Sequence, residues 1–95
     1  MGGWVYIVTN RKNGTLYVGV TNDIRRRATE HRNGSIDGFT SRHGLHRLVW
    51  MERVEEIADA ITREKTIKRW HRAWKIALIE KDNPDWTDLF DTLNQ

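Results

Sequence analysis

The chain contains no cysteine, so it can hold neither a disulfide nor a thiolate metal site, and a structural zinc finger is excluded. No apolar run approaches the ~20 residues that a membrane-spanning helix needs, and the N-terminus lacks a basic region followed by an apolar stretch and a cleavage site. A soluble, unexported, cytoplasmic protein with no membrane partner is expected. Internal repeats, low-complexity tracts and linkers are also missing. With 95 residues there is room for one hydrophobic core, so residues 1–95 are expected to form a single domain.

What is present argues for a folded and basic module. Hydrophobic residues make up 38% of the chain and five of them are tryptophan, enough for a core and against disorder. The net charge of +3 is unevenly placed. Arg11, Lys12, Arg25, Arg26, Arg27 and Arg32 gather early, Arg63, Lys65, Lys68, Arg69, Arg72 and Lys75 gather later, and Asp82, Asp85, Asp88 and Asp91 make the last stretch acidic. Cations beside aromatic rings suit a phosphate backbone, from which they displace condensed counterions. A charge run taken alone is more often a solvated helix face.

The pattern predicts an α+β fold, a small three-stranded mainly antiparallel sheet flanked by helices. Trp4-Val5-Tyr6-Ile7-Val8 and Leu16-Tyr17-Val18-Gly19-Val20 read as two strands joined through an Asn13-Gly14 turn. Side chains alternate along a strand, so Val5, Ile7, Leu16, Val18 and Val20 can share a core face. If even positions of the first strand pair with odd positions of the second, Tyr6 and Tyr17 stand together on the other face. Asn22 or Asp23 can cap a following helix that stops before Asn33-Gly34. Ser35 to Leu45 reads as loop, and Arg47 to Val54 as a third strand, central or edge.

From Glu55 the period becomes helical. Ile57, Ala60, Ile61, Ile67, Trp70, Trp74 and Leu78 describe a long amphipathic region, broken near Trp70-His71-Arg72, and Pro84 ends it. Trp86 to Leu93 reads as a short terminal helix or cap. Glu64 falls inside the apolar stripe, where a lone carboxylate needs a cation, a hydrogen-bond network or an open cleft. Arg27 and His31 lie one turn apart on one helix face. His43 and His46, three apart with no carboxylate nearby, are a weak zinc signal.

Val5-Tyr6-Ile7, Tyr17-Val18-Gly19, Arg27 with His31, and Arg63-Glu64-Lys65-Thr66-Ile67-Lys68, in that order, resemble the GIY-YIG nuclease family. Trp74-Lys75 and Asn83-Pro84-Asp85-Trp86 are similar to its small single-domain bacterial branch. Val20 departs from the lysine that many members carry there. The resemblance implies a DNA endonuclease that hydrolyses phosphodiester bonds with Mg2+ or Mn2+, with Glu64 as the metal ligand and Tyr6, Tyr17, Arg27 and His31 as the other catalytic groups. One phenol is implied to activate or position the attacking water, and the resemblance does not say which. Gly19, Arg25, Arg26, Lys68 and Asn83 are the candidate contacts to nucleic acid; Gly19 reads equally as a bulge residue, and Asn83 as a turn starter. The expected partner is DNA, single-stranded or branched forms included, in repair or recombination. The rivals are a binding module that does not cleave and an interaction domain docking through the aromatic C-terminal region.

Overall fold

The computed structural model describes residues 2–34, 38 and 42–94. Strand β1 (Gly3–Thr9) lies between β2 (Leu16–Thr21) and β3 (Arg47–Val54), and both pairings are antiparallel. The β1–β2 connection is set by side-chain chemistry at the turn. Asn13 takes a left-handed φ of 60°, Gly14 N–H donates to the Arg11 carbonyl at 2.9 Å, and Thr15 N–H donates to Asn10 Oδ1 at 3.0 Å. A Cβ on Gly14 would collide with the Asn10 side chain, which is why glycine follows the turn. The resulting register pairs Tyr6 with Gly19 and Val8 with Tyr17, so the two phenols do share a face.

Val5, Ile7 and Val18 pack with Val49 and Trp50 against Ala60 and Ile67 of helix α2 (Ile57–Lys68), Ile79 of helix α3 (Arg72–Asp82), and Trp86. The opposite, tyrosine face is a second core. Tyr6, Val8 and Leu48 pack with Leu45 and with Ile24 and Ala28 of helix α1 (Ile24–Arg32), and a terminal 3-10 helix (Leu89–Asn94) brings Leu89, Phe90 and Leu93 onto the same face. Each such aliphatic side chain, fully buried, contributes about 1.5–3 kcal/mol.

Local signals fix where the helices begin and end. Asp23, rather than Asn22, caps α1: its Oδ1 accepts Arg26 N–H at 3.1 Å, and its own N–H donates to Thr21 Oγ1 at 3.1 Å. At the other end Gly34 is left-handed (φ 67°) and its N–H donates to the His31 carbonyl at 3.2 Å. The helical region is broken at residues 69–71, and Arg72 anchors the start of α3 by donating Nη2 to the carbonyls of Asn13 and Gly14 at 2.8 and 2.6 Å. The loop expected from Ser35 to Leu45 falls largely outside the described residues, although Leu45 is fully buried.

Two expectations need correction. The buried stripe of α2 is Ala60, Glu64 and Ile67, while Ile57 and Ile61 are exposed, as is Trp74 on α3. Glu64 therefore does lie inside the buried stripe, between Ala60 and Ile67, and the expected stripe was drawn too wide on its Ile57 and Ile61 side. Asn83, a candidate contact to nucleic acid, is buried and caps α3. Its Nδ2 donates to the carbonyls of Val49 at 3.0 Å and Thr87 at 2.8 Å, and its Oδ1 accepts Thr87 N–H at 3.0 Å. Val49 is the extra residue of β3 where the β1–β3 register shifts, between the Ile7–Trp50 and Val8–Leu48 pairs. Asn83 therefore supplies the donor for a buried carbonyl and has no amide group left to offer a ligand on that side.

The aromatic residues of the C-terminal segment pack onto the rest of the fold. Trp86 is fully buried at a left-handed φ of 57°, its Nε1–H donates to Glu80 Oε2 at 2.8 Å, and its carbonyl accepts Arg47 Nη1 at 3.0 Å. Phe90 lies under the Arg32 guanidinium at 4.6 Å. Trp86 is thus core, and Leu89, Phe90 and Leu93 are partly buried against the tyrosine face. Asn83→Ala should cost roughly 1–3 kcal/mol for each buried partner left unsatisfied, read as a lower urea midpoint; an unchanged midpoint would show that water replaces the amide.

Candidate active site

The centre of the site is a bond between the central strand and the first helix. Tyr6 Oη and His31 Nε2 are 3.0 Å apart, and the two residues are only 3% and 4% exposed. Their rings meet edge-on at 5.4 Å between centroids, and the half-buried Tyr17 ring lies 6.0 Å from the same imidazole. Gly19 is what lets the Tyr6 ring lie where it does: a Cβ there would overlap the Tyr6 Cζ and Oη atoms. The close approach expected of a phosphate at Gly19 is thus made by a phenol, which corrects its placement among the nucleic-acid contacts.

Burial sets the protonation of this pair. It pushes the Tyr6 phenol well up from its usual range, helped by Tyr17, Glu30 and Glu64 and opposed by the positive charge of Arg27. Burial also lowers His31 to about 4, and positive charge at Arg27 and His46 acts in the same direction. The bond between them therefore joins a neutral phenol to a neutral imidazole. His46 braces the helix at this point, donating Nδ1–H to the His31 carbonyl at 2.5 Å, while His31 Nδ1 is buried with no hydrogen-bond partner among the described residues.

One turn before His31 on α1, Arg27 reaches the same cluster. Its Nη1 lies 3.3 Å from Glu30 Oε1, and its Nε is buried without a hydrogen-bond partner among the described residues. A buried guanidinium N–H lacking an acceptor is costly, and an anionic oxygen would satisfy it. Glu30 was missed in the sequence; its place three residues after Arg27, on the same helix face, was the available signal. Arg25 and Arg26 are exposed on α1.

Helix α2 supplies the carboxylate. Glu64 is 6% exposed and forms an ion pair with Lys68, whose Nζ also lies 5.7 Å from the centroid of the Tyr17 ring. Lys68 thus faces the predicted metal ligand. Contacts run without a gap from Glu64 through Lys68, Tyr17 and His31 to Tyr6, whose phenol also feels Arg27 and Glu30. All five predicted catalytic residues are brought together.

The donor chemistry suits a divalent cation. Glu64 offers carboxylate oxygens, hard donors of the kind magnesium takes, with waters and phosphate oxygens able to complete its shell. Its present counter-charge is a half-exposed lysine on a flexible stem, which can swing away when another cation arrives. Among the described residues no group of three or more His, Cys, Asp or Glu side chains that could hold a metal ion forms.

Comparison with known proteins agrees with this geometry. The family model of the GIY-YIG catalytic domain matches residues 2–77. A UPF0213 protein of Staphylococcus saprophyticus is 35% identical over 78 residues, covering 82% of this chain and 94% of the relative. One from Syntrophus aciditrophicus is 36% identical over 83 residues, covering 86% and 93%. The solution NMR structure of a UPF0213 protein of Bacillus halodurans superposes with a TM-score of 0.57 at 28% identity, covering 93% of both chains. A sheet of the same architecture, a family match spanning every strand and the tyrosine, arginine, histidine and glutamate positions, and relatives matched over nearly all of their own length place the chain in the GIY-YIG family of nuclease domains, among its small UPF0213 members.

Proposed function

We propose that the chain is a single-module, divalent-metal-dependent DNA endonuclease, weakly specific for sequence and selective for DNA structure, handling branched or damaged DNA in repair or recombination. The observation that carries this reading is Glu64. Glu64 is nearly buried, its charge is felt at the Tyr6 phenol, and the Lys68 that balances it is half-exposed on a flexible stem, so the cluster offers a carboxylate that a divalent cation can take over and that a module only binding phosphates has no need of. Membership of a nuclease family supports the same conclusion.

When bound at Glu64, the metal supplies Lewis-acid polarisation of the phosphate and a more acidic water. The chain's own residues do the rest. Arg27 directs its unpartnered Nε and its fork at the phosphate oxygens, where charge grows in the transition state. Tyr17, half-buried at the edge strand, orients the attacking water. Tyr6 and His31 carry the proton in transit: the Tyr6 oxygen takes the water's proton while its own passes to neutral His31 Nε2, and because burial and Arg27 also disfavour the imidazolium, the proton is passed on to the departing ester oxygen. That route avoids a tyrosinate, which burial makes unfavourable here.

Glu64→Gln keeps the side-chain volume and removes the charge. In assays on single-stranded, nicked, forked and duplex DNA with Mg2+ or Mn2+ against a chelator, the variant should lose metal-dependent cleavage. Metal-free DNA binding should stay equal or become slightly tighter. Full activity in Glu64→Gln would remove the metal assignment.

Neutral His31 has a measurable consequence for stability. It titrates near 6.5 when unfolded and near 4 when folded, so between those values the unfolded chain binds a proton that the folded chain refuses. Stability should fall as pH drops from about 6.5 towards 4, by on the order of 3 kcal/mol from this group. Urea titrations across that window should show a steeper loss in the wild type than in His31→Phe. Parallel curves would mean that the imidazole is charged in the folded state.

A further inference from the structure

Outside the catalytic cluster, the largest exposed apolar side chain among the described residues is Trp74, which is 59% open to solvent. It is not a stray surface residue. The Trp70 ring stands edge-on to it at 6.1 Å and 79°, and the His71 ring at 5.6 Å and 89°, so two neighbours fix the plane of an indole that is mostly uncovered. Trp70 is itself anchored, packing on the core beneath and lying within 5.5 Å of the Arg63 guanidinium. An aromatic ring left open to water adds little to folding and is available for stacking, and two flanking rings limit the rotamers it has to give up when a ligand arrives.

The charge around the ring selects the ligand. From residue 63 to 75 there are six cationic side chains, Arg63, Lys65, Lys68, Arg69, Arg72 and Lys75, against one carboxylate, Glu64, which is paired with Lys68. Lys65, Arg69 and Arg72 are exposed. The same short stretch reaches the catalytic cluster at Lys68, which approaches the Tyr17 ring, and Arg72 ties it to the hairpin turn that leads into β2. An aromatic face inside a cationic field is the combination that binds single-stranded nucleic acid, where bases offer π-faces and phosphates offer charge. In continuous duplex DNA those base faces are already stacked.

We propose that Trp74, held by Trp70 and His71, is a stacking platform for an unpaired base next to the scissile phosphate. The substrate class is then single-stranded nucleic acid or the single-stranded arm of a junction. This deepens the nuclease reading above and rests on it for the word scissile, but the platform itself is a binding site that can be measured without cleavage.

The test uses the full chain, a chelator, and a fluorescently labelled oligodeoxythymidylate beside a duplex of equal length. Trp74→Ala should bind the single strand roughly tenfold or more weakly, the scale of losing one stacked base, and bind the duplex as before. Trp74→Phe, which keeps a ring, should retain most of the affinity. Circular dichroism should match the wild type, because the side chain is outside the core. Equal single-strand affinity in wild type and Trp74→Ala would overturn the platform, as would a wild type that binds no single strand. Loss of a self-associated species in light scattering, with single-strand affinity unchanged, would overturn it in favour of a contact between copies. If the wild type cleaves no nucleic acid with either metal and Trp74→Ala still loses single-strand affinity, the platform stands and the nuclease reading fails. Cleavage by the wild type together with unaltered binding by Trp74→Ala would keep the nuclease reading and remove the platform.

Discussion

A phenol can be buried only if its hydroxyl finds a partner, and the central strand buries Tyr6. Much of the site follows from that constraint. Strand β1 is paired on both edges and covered on both faces, so the Tyr6 hydroxyl must be satisfied by whatever packs over it, which is α1 through His31. His31 in turn fixes the rotation of α1 and with it the direction of Arg27, one turn earlier on the same face. The ring also requires glycine opposite, at position 19, because a methyl group there would displace it. One bond thus ties the hairpin, the first helix and the arginine into a single geometry.

The second constraint is charge. Arg27 and Lys68 bring two cations into the cluster, and Glu30 and Glu64 bring two carboxylates, each held by a neighbour on its own helix. Partly exposed ion pairs of this kind contribute little to stability. Their worth lies in keeping charged groups oriented and exchangeable: a half-exposed lysine can leave Glu64 to a cation, and Arg27 retains a buried N–H for an anionic oxygen. Among the C-terminal acids, Asp88 and Asp91 lie beside Arg32.

Much of this architecture was legible because local chemistry dictates it. The β3 limits, the Asp23 cap, the glycine stop at the end of α1 and the interruption between α2 and α3 all lie where turn and cap residues put them. Strand alternation correctly gathered Tyr6 and Tyr17 on one face. It could not say that this face would be covered, because the covering residues, Leu89, Phe90 and Leu93, arrive from the far end of the chain. The helical period placed Ala60, Glu64 and Ile67 on one buried face correctly but also took in the exposed Ile57, Ile61 and Trp74, because apolar spacing alone does not say where the covered face ends. Asn83 was misread for a related reason: its partners are a bulge carbonyl on β3 and the Thr87 backbone, and no short-range pattern announces a bulge.

The central claim is that Glu64 exchanges its lysine for a divalent cation beside the two tyrosines. Titrating isotope-labelled protein with Mn2+ and following paramagnetic broadening of its amide resonances tests this without any substrate or turnover. The account predicts broadening centred on Glu64 and Lys68, extending to Tyr17 and Gly19 on β2, and absent from Glu64→Gln at the same Mn2+ concentration. Broadening centred instead on the acidic segment around Asp85 and Asp91, and indifferent to the Glu64 substitution, would contradict it.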